Sequence, residues 1–396
     1  MKLTFNAVIC FGLAIALTQG APAHAQTKPA SIFKAVTTPN ENFNSNLFAA
    51  SASSSNDIWA VGQSTIHFDG TKWTAFPAPF INGENTAFLQ GVVALSPTSA
   101  WAVGNETIGA NRGPMIERWN GKKWSVFPNP TYPPNSQQVL LGLTSTSAND
   151  IWAVGDLVQD VSNGAISFNL FQHWDGTAWK VTTILDNTFE NLDSVSADAT
   201  NDAWAVGYVT PMGQGSNGTL AIHWDGKKWT HVATPLNIGH GPNQLNAALA
   251  LAPNDAWAVG YSTPGQPEES ATLTLILHWD GTSWKVVPSP NIGPKTRSQS
   301  NRLLGLTANS ANDIWAFGSY FASDGSGHQM TLLLHWDGTS WKIAPSPNPT
   351  KGDFLDDVLF AGVTPSAGKV WIFGGEAEFS PQHGIETLAL HTTTGD

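Results

Sequence analysis

The side chains able to do chemistry fall into two sets, those that recur at a regular interval and those that do not. His67, His173, His223, His278, His335 and His391 recur, and five of them lead into an aromatic-Asp-Gly turn. Asp57, Asp150, Asp202, Asp255 and Asp313 also recur, each after an Asn and two residues before a Trp. Imidazoles and carboxylates can ligate metals or move protons. The non-recurring set contains all four tyrosines, Tyr132, Tyr208, Tyr261 and Tyr320. It also contains His240, His328 and His383, and the acidic group Asp353, Asp356, Asp357, Glu376 and Glu378. Tyrosine has an apolar face and a polar tip, which suits stacking on a sugar or gripping a peptide. Paired carboxylates serve as acid and base, or hold Ca²⁺ together with carbonyls. Arg297, Arg302, Lys295 and Lys351 would meet a carboxylate-bearing sugar.

No local motif settles which set works. The chain lacks G-x-S-x-G, H-E-x-x-H, a Gly-rich phosphate loop and a twelve-residue EF-hand pattern. Its net charge of -12, with scattered basic residues, offers no cationic stripe for nucleic acid. Lys2, the apolar run from Ala7 to Leu17 and Ala23-His24-Ala25 predict a signal peptide over 1–25, cleaved before Gln26. That run is shorter than the roughly 18 residues a membrane helix needs. The only cysteine, Cys10, lies inside it, so the mature chain has neither disulfide nor catalytic thiol. The expected location is secreted or periplasmic, and the expected oligomeric state is a monomer.

The elements that must position these residues are read from repeats. Asp-Ile-Trp-Ala-Val-Gly at 57–62 recurs in related forms up to Val-Trp-Ile-Phe-Gly at 370–374. The marker tryptophans are Trp59, Trp101, Trp152, Trp204, Trp257, Trp315 and Trp371. Their spacing of 42 to 58 residues suits one four-stranded sheet per repeat. A second signature follows six of the markers, as in His-Trp-Asp-Gly-Thr-Ser-Trp at 278–284. In that unit, Leu245 to Leu251 reads as strand one and Asp255 to Gly260 as strand two. Leu273 to Trp279 reads as strand three and Ser283 to Val287 as strand four. Asp280-Gly281 makes the last turn, since both residue types tolerate positive φ, and Pro288 and Pro290 end the unit. Apolar runs in place of clean alternation fit sheets covered on both faces. All 18 tryptophans fall on repeat positions, which gives them structural duty.

Counting strands closes the figure. The seventh unit has strands near 355–360, 369–374 and 386–391 but no fourth. Phe33-Lys34-Ala35-Val36-Thr37-Thr38-Pro39-Asn40 matches the fourth-strand sequence Trp284 to Asn291. The expected fold is therefore all-β: a seven-bladed β-propeller with four antiparallel strands per blade. It forms a single domain over 26–396, with the N-terminal strand, about 32–39, closing the last blade.

In such a ring the recurring histidines lie too far apart to share one metal. His173, His223, His278 and His335 read as structural imidazoles, one per blade. The recurring aspartates read as carboxylates that accept backbone N–H bonds and lock their turns. Turns one-to-two and three-to-four are short and uniform and open on one face, the turn face. The loops two-to-three and four-to-one are long and varied and open on the other, the loop face. Varied loops on a rigid scaffold are where binding resides. The ligand-binding candidates there are Tyr132, Tyr208, Tyr261, Tyr320, Arg297 and Arg302. The catalytic candidates are Tyr261, His240, Asp353 and Glu376, and the metal candidates, for Ca²⁺, are Asp353, Glu376 and Glu378. Ordinary loop packing and solvation remain the competing explanation for each.

The W-A-V-G and H-W-D-G-x-x-W signatures resemble bacterial secreted propellers of the broad kelch, galactose-oxidase-like and sialidase-repeat-like type. The resemblance implies the fold over nearly all of the mature chain and carries no activity with it. Only Gly374-Gly375 reproduces the kelch Gly-Gly, and the Asp-to-Trp spacing differs from the sialidase-type box. Copper-radical chemistry would need a cysteine-modified tyrosine, for which the mature chain has no thiol. The first functional reading is a binding or scaffold propeller that recognises a glycan or an extracellular protein. The second is a polysaccharide lyase or hydrolase with its site at the channel mouth of the loop face. The third is an assembly factor.

Overall fold

The computed structural model describes residues 32–396, apart from 41–43, 78–86, 109–110, 162–163, 186–188, 211–217, 236–240, 264–270, 294–299, 323–326, 350–354, 381–382 and 394–396. The signal segment expected over 1–25 lies outside the described residues. Seven four-stranded antiparallel sheets follow one another along the chain. Blades one to six run over Leu47–Ala75, Phe88–Phe127, Ser136–Leu185, Phe189–His231, Gln244–Val286 and Asn301–Ala344. Blade seven takes Leu355–Ser366, Lys369–Ser380 and His383–Thr392, and completes itself with Phe33–Val36.

That closure is tied at three points. Phe33 pairs with Thr392 and Val36 with Ala389, so the first strand extends the last sheet in register. Phe33 also sets its ring edge-on against Trp315 of blade six at 5.0 Å, taking the place of a fourth-strand tryptophan. Past the strand, the Asn40 side-chain carbonyl accepts the Thr387 N–H at 2.7 Å. Asn291 and Asn348 accept from Thr274 and Thr331 in blades five and six at 2.8 and 2.7 Å. The match between the N-terminal octapeptide and residues 284–291 is thus a shared clasp as well as a shared strand.

Tryptophans fill the seams between blades. Trp59 meets Trp119 and Trp124 of the next blade at 4.9 and 5.0 Å. Trp101, Trp152, Trp204 and Trp257 each meet two tryptophans of their own next blade in the same way. Such ring pairs add about 0.5–1.5 kcal/mol each beyond their buried area.

The recurring histidines are structural, and their partner corrects one expectation. The carboxylate at the start of strand two accepts from the imidazole, not from the backbone of its turn. Nε2 to Oδ1 is 2.6 Å for His67–Asp57, 2.5 Å for His173–Asp150, 2.9 Å for His278–Asp255 and 2.7 Å for His335–Asp313. His223 bonds Asp202 likewise. Each of these imidazoles lies over its marker tryptophan, with ring centres 4.2–4.4 Å apart. Blade two has Ser99 and Arg118 at these positions, and the guanidinium sits 5.1 Å from the Trp101 ring centre.

Turn locking falls to the other aspartates. Oδ1 of Asp69, Asp175, Asp225, Asp280 and Asp337 accepts the next two available backbone N–H groups at 2.8–3.0 Å. The following glycine takes the positive φ that the expected turn requires, +90° at Gly281.

Two carboxyls break the pattern. Ser53, Thr146 and Asn309 donate to the second oxygen of Asp57, Asp150 and Asp313. Blade four puts Asp198 in that place, and burial together with the neighbouring Asp202 pushes its pKa to about 6. Glu117 in blade two takes a core position held by Ile222 and Leu277 in blades four and five. It is fully buried, neither oxygen has a hydrogen-bond partner among the described residues, and burial raises its pKa to about 8. An acid whose native pKa is raised costs stability progressively as pH climbs from its ordinary value to the raised one. Glu117→Leu is therefore expected to raise the thermal midpoint by a few degrees, with a gain that grows from pH 5 to pH 8. Calorimetric scans across that range check it, and a gain independent of pH would contradict the titration.

Candidate functional site

The site is built from one irregularity that every blade shares. In each blade the first strand, the innermost, slips register by one residue against the second. The slips fall at Leu47/Ala49, Leu89/Gly91, Leu140/Gly142, Leu192/Ser194, Leu245/Ala247, Leu303/Gly305 and Leu359/Ala361. A β-bulge of this kind re-aims one side chain. The skipped residues are Phe48, Gln90, Leu141, Asp193, Asn246, Leu304 and Phe360, and all seven line the central cavity of about 310 Å³. The flanking Leu is buried in every blade. The residue after the bulge is always small because the inner strands crowd there. A Cβ on Gly91 would lie 2.7 Å from that of Leu143, and one on Gly305 2.3 Å from the Phe317 ring.

The bulge also explains the glycine of W-A-V-G. A Cβ added to Gly62, Gly104, Gly155, Gly207, Gly260, Gly318 or Gly374 would lie 1.8–2.0 Å from a first-strand carbonyl oxygen. Only a residue without a side chain lets that carbonyl approach the second strand so closely. The next residue takes six types in the seven blades: Gln63, Asn105, Asp156, Tyr208, Tyr261, Ser319 and Gly375. In blades two and three it ties down the next blade. The Asn105 carbonyl accepts the Leu140 N–H at 2.9 Å, and Asp156 Oδ1 accepts the Leu192 N–H at 3.0 Å. In blades four and five this position carries the tyrosines that form the loop-face mouth.

One polar chain crosses that mouth. Arg302 of blade six lays its guanidinium over Tyr261 of blade five, 4.9 Å from the ring centre. The Tyr261 hydroxyl donates to Gln244 Oε1 at 3.1 Å. Gln244 Nε2 in turn donates to Asp193 Oδ2 of blade four at 2.8 Å. Burial pushes the Asp193 carboxyl up to about 7, with the Gln244 amide opposing the shift. Asp156 also rises to about 7, through burial and the charge of Asp193, against the Leu192 N–H. Burial and these two carboxyls raise the Tyr208 phenol. Of this group Asp193 and Gln244 line the central cavity, together with Phe48 and Phe360, and Tyr261, Arg302, Tyr208 and Asp156 are linked to Asp193 by the contacts just described. Nearby, the buried Glu190 accepts from Asn169 and pairs with His231 at 2.9 Å.

The structure brings together three of the expected residues, Tyr208, Tyr261 and Arg302. Tyr132 instead packs between blades two and three and accepts a hydrogen bond from Gln172. Tyr320 packs against the core between blades five and six. Glu376 stands in blade seven opposite Asp357 and Glu386, and Glu378 follows on the same strand, opposite Leu355. Asp353, His240 and Arg297 lie outside the described residues. Among the described residues, no three His, Cys, Asp or Glu side chains converge as a metal would require. Sequence reasoning missed Asp156, Asp193 and Gln244. The signal was present in two columns of the repeat, the residue inside Leu-x-small and the residue after Val-Gly.

No protein-family model matches the chain, and no curated protein sequence does. Solved structures do. One, described as YCF48 bound to D1 peptide, superposes with a TM-score of 0.54 at 14% identity, over 93% of this chain and 97% of its own. Another is a polysaccharide lyase of family PL25, an ulvan lyase bound to a GlcA(1-4)Rha3S glycan. It superposes at 0.58 with 10% identity, over 89% and 95% of the two chains. Likeness at these identities shows the seven-bladed fold alone.

The raised carboxyls give the mouth a pH signature. The native state holds protons on Asp156 and Asp193 that the unfolded chain releases near pH 4. Stability therefore falls as pH rises from about 4 through about 7, by at most about 4 kcal/mol per group. Asp193→Asn is expected to flatten that decline between pH 5 and pH 8, read by thermal unfolding. An unaltered profile would mean that Asp193 titrates as an ordinary carboxyl.

Proposed function

We propose that this chain is a binding propeller that takes an acidic glycan at the loop-face mouth of its channel. The observation that carries this reading is the Arg302–Tyr261–Gln244–Asp193 chain across three blades. Arg302 has no ion-pair partner among the described residues, so its charge is available to a uronate or sulfate. Tyr208 and Tyr261 supply faces for sugar rings and hydroxyls for their edges. Gln244 and Asp193 read hydroxyl groups beside them. The lyase bound to a glucuronate-containing glycan supports the reading as a precedent on the same fold. Export to the periplasm or the exterior goes with this proposal and rests on the N-terminal 25 residues. Titration of acidic oligosaccharides into the mature protein tests it. Tyr261→Ala and Arg302→Ala are each expected to weaken binding at least tenfold, about 1.4 kcal/mol, with the circular dichroism spectrum unchanged. Absence of binding to any acidic glycan, or binding indifferent to both changes, would overturn it.

One observation favours a second reading, a glycan-active enzyme. Asp156 and Asp193 have pKa values near 7, where a carboxyl both takes up and returns a proton efficiently. With Tyr208 beside them and Arg302 to neutralise a uronate, they hold the groups an eliminase or a hydrolase uses. On this reading Asp193→Asn abolishes product formation while oligosaccharide affinity stays within about threefold. Chromatography of digests separates the two readings.

A further inference from the structure

The seam between blades seven and one departs from the five tryptophan-filled seams. The third strand of blades two to six ends in a tryptophan, but blade one ends in Phe68. Trp119, Trp174, Trp224 and Trp279 donate their indole N–H to a carbonyl of the one-to-two turn at 3.0–3.2 Å. Phe68 has no such donor and is a ring smaller. Its centre lies 5.5 Å from Trp371, against 4.8–5.1 Å for the tryptophans at this place in blades two to six. Val36, the fourth-strand residue facing this seam, matches Val232 and Val287 of blades four and five. Beside Phe68 and Val36 lies a pocket of about 460 Å³, within the range of small-molecule sites. Its floor is Phe68, Trp73 and Trp371, and Lys72 and Thr71 stand at its rim.

We propose that this seam pocket binds a small planar aromatic carboxylate. Phe68 itself occupies the place of that indole, and the pocket opens beside its ring, lined also by Val36, Thr37, Thr38 and Pro39. Three aromatic rings already meet there, with Trp73 at 5.2 Å from Phe68 and 5.3 Å from Trp371. Lys72 supplies charge to the carboxylate and makes no ion pair among the described residues. The one acid in its hairpin, Asp69, is engaged by the Thr71 hydroxyl and the Thr71 and Lys72 N–H groups. The site lies on the turn side of the ring, apart from the loop-face mouth.

Isothermal titration of the mature protein with indole-3-acetate and with indole tests the proposal. A ligand of roughly a dozen non-hydrogen atoms in a partly open site is expected to bind with a Kd of about 1 mM. Phe68→Trp fills the pocket with the side chain that the other blades carry, so the fold tolerates it. It is expected to weaken indole-3-acetate at least tenfold without lowering the thermal midpoint. Lys72→Gln is expected to bring indole-3-acetate down to the affinity of indole, and Arg302→Ala to leave both unchanged. No saturable heat from wild type, or binding that survives Phe68→Trp, would overturn the assignment. Loss of binding through Arg302→Ala would place the ligand at the loop-face mouth and overturn it too.

Discussion

Everything in this ring depends on one close approach, that of a first-strand carbonyl to the glycine of the second strand. The oxygen occupies the volume a Cβ would need, so the position after Val or Phe in each marker repeat admits only hydrogen. The register slip follows directly on the first strand, and the bulge rotates one side chain per blade toward the axis. The glycine therefore does not touch the cavity and yet determines what lines it. Because the constraint acts on backbone alone, the exposed residue is free to vary, and it ranges from Phe48 to Asp193. A rigid ring with a variable lining is the outcome.

Stability and specificity are separated by the same arrangement. The tryptophans, the histidine–aspartate pairs and the Asp-Gly hairpins lie toward the turn face and the seams, and they repeat. The side chains of the loop-face mouth vary from blade to blade. Where a repeating position changes, the scaffold adjusts locally: Arg118 replaces the histidine–aspartate hydrogen bond with a cation–π contact. The carboxyls of the mouth are costly to bury, and each offsets part of that cost by a hydrogen bond to the next blade, Asp156 from the Leu192 N–H and Asp193 from Gln244.

The fold was legible in the sequence because seven copies reinforce one another. Strand count, closure by the N-terminal octapeptide and the structural role of the tryptophans all followed from it. The role of Asp57 and its equivalents did not. A local reading assigned them to the adjacent turn, whereas their partner histidine lies ten to 23 residues ahead, across a strand pair. Tyr208, Tyr261 and Arg302 were visible as departures from the repeat, but nothing in their spacing showed that Gln244 joins them to a carboxyl. Asp193 was invisible for a different reason. Its exposure to the axis depends on a register slip, and a period-two reading of the strand sends every later residue to the wrong side.

The N-terminal strand has a consequence for how the molecule is made. The residues that complete the last sheet are synthesised before the blades, and their partner strand, His383–Thr392, after the other six blades are made. Until that strand emerges the nascent ring is an open arc with two unprotected ends. At one end the blade-one aromatics Phe68 and Trp73 await Trp371, and at the other the edge of the newest sheet awaits a fourth strand. Final assembly is thus a long-range event, slow on contact-order grounds and exposed to aggregation until it occurs. Delivery of the complete polypeptide, more than the rate of any single blade, sets when this protein acquires its native form.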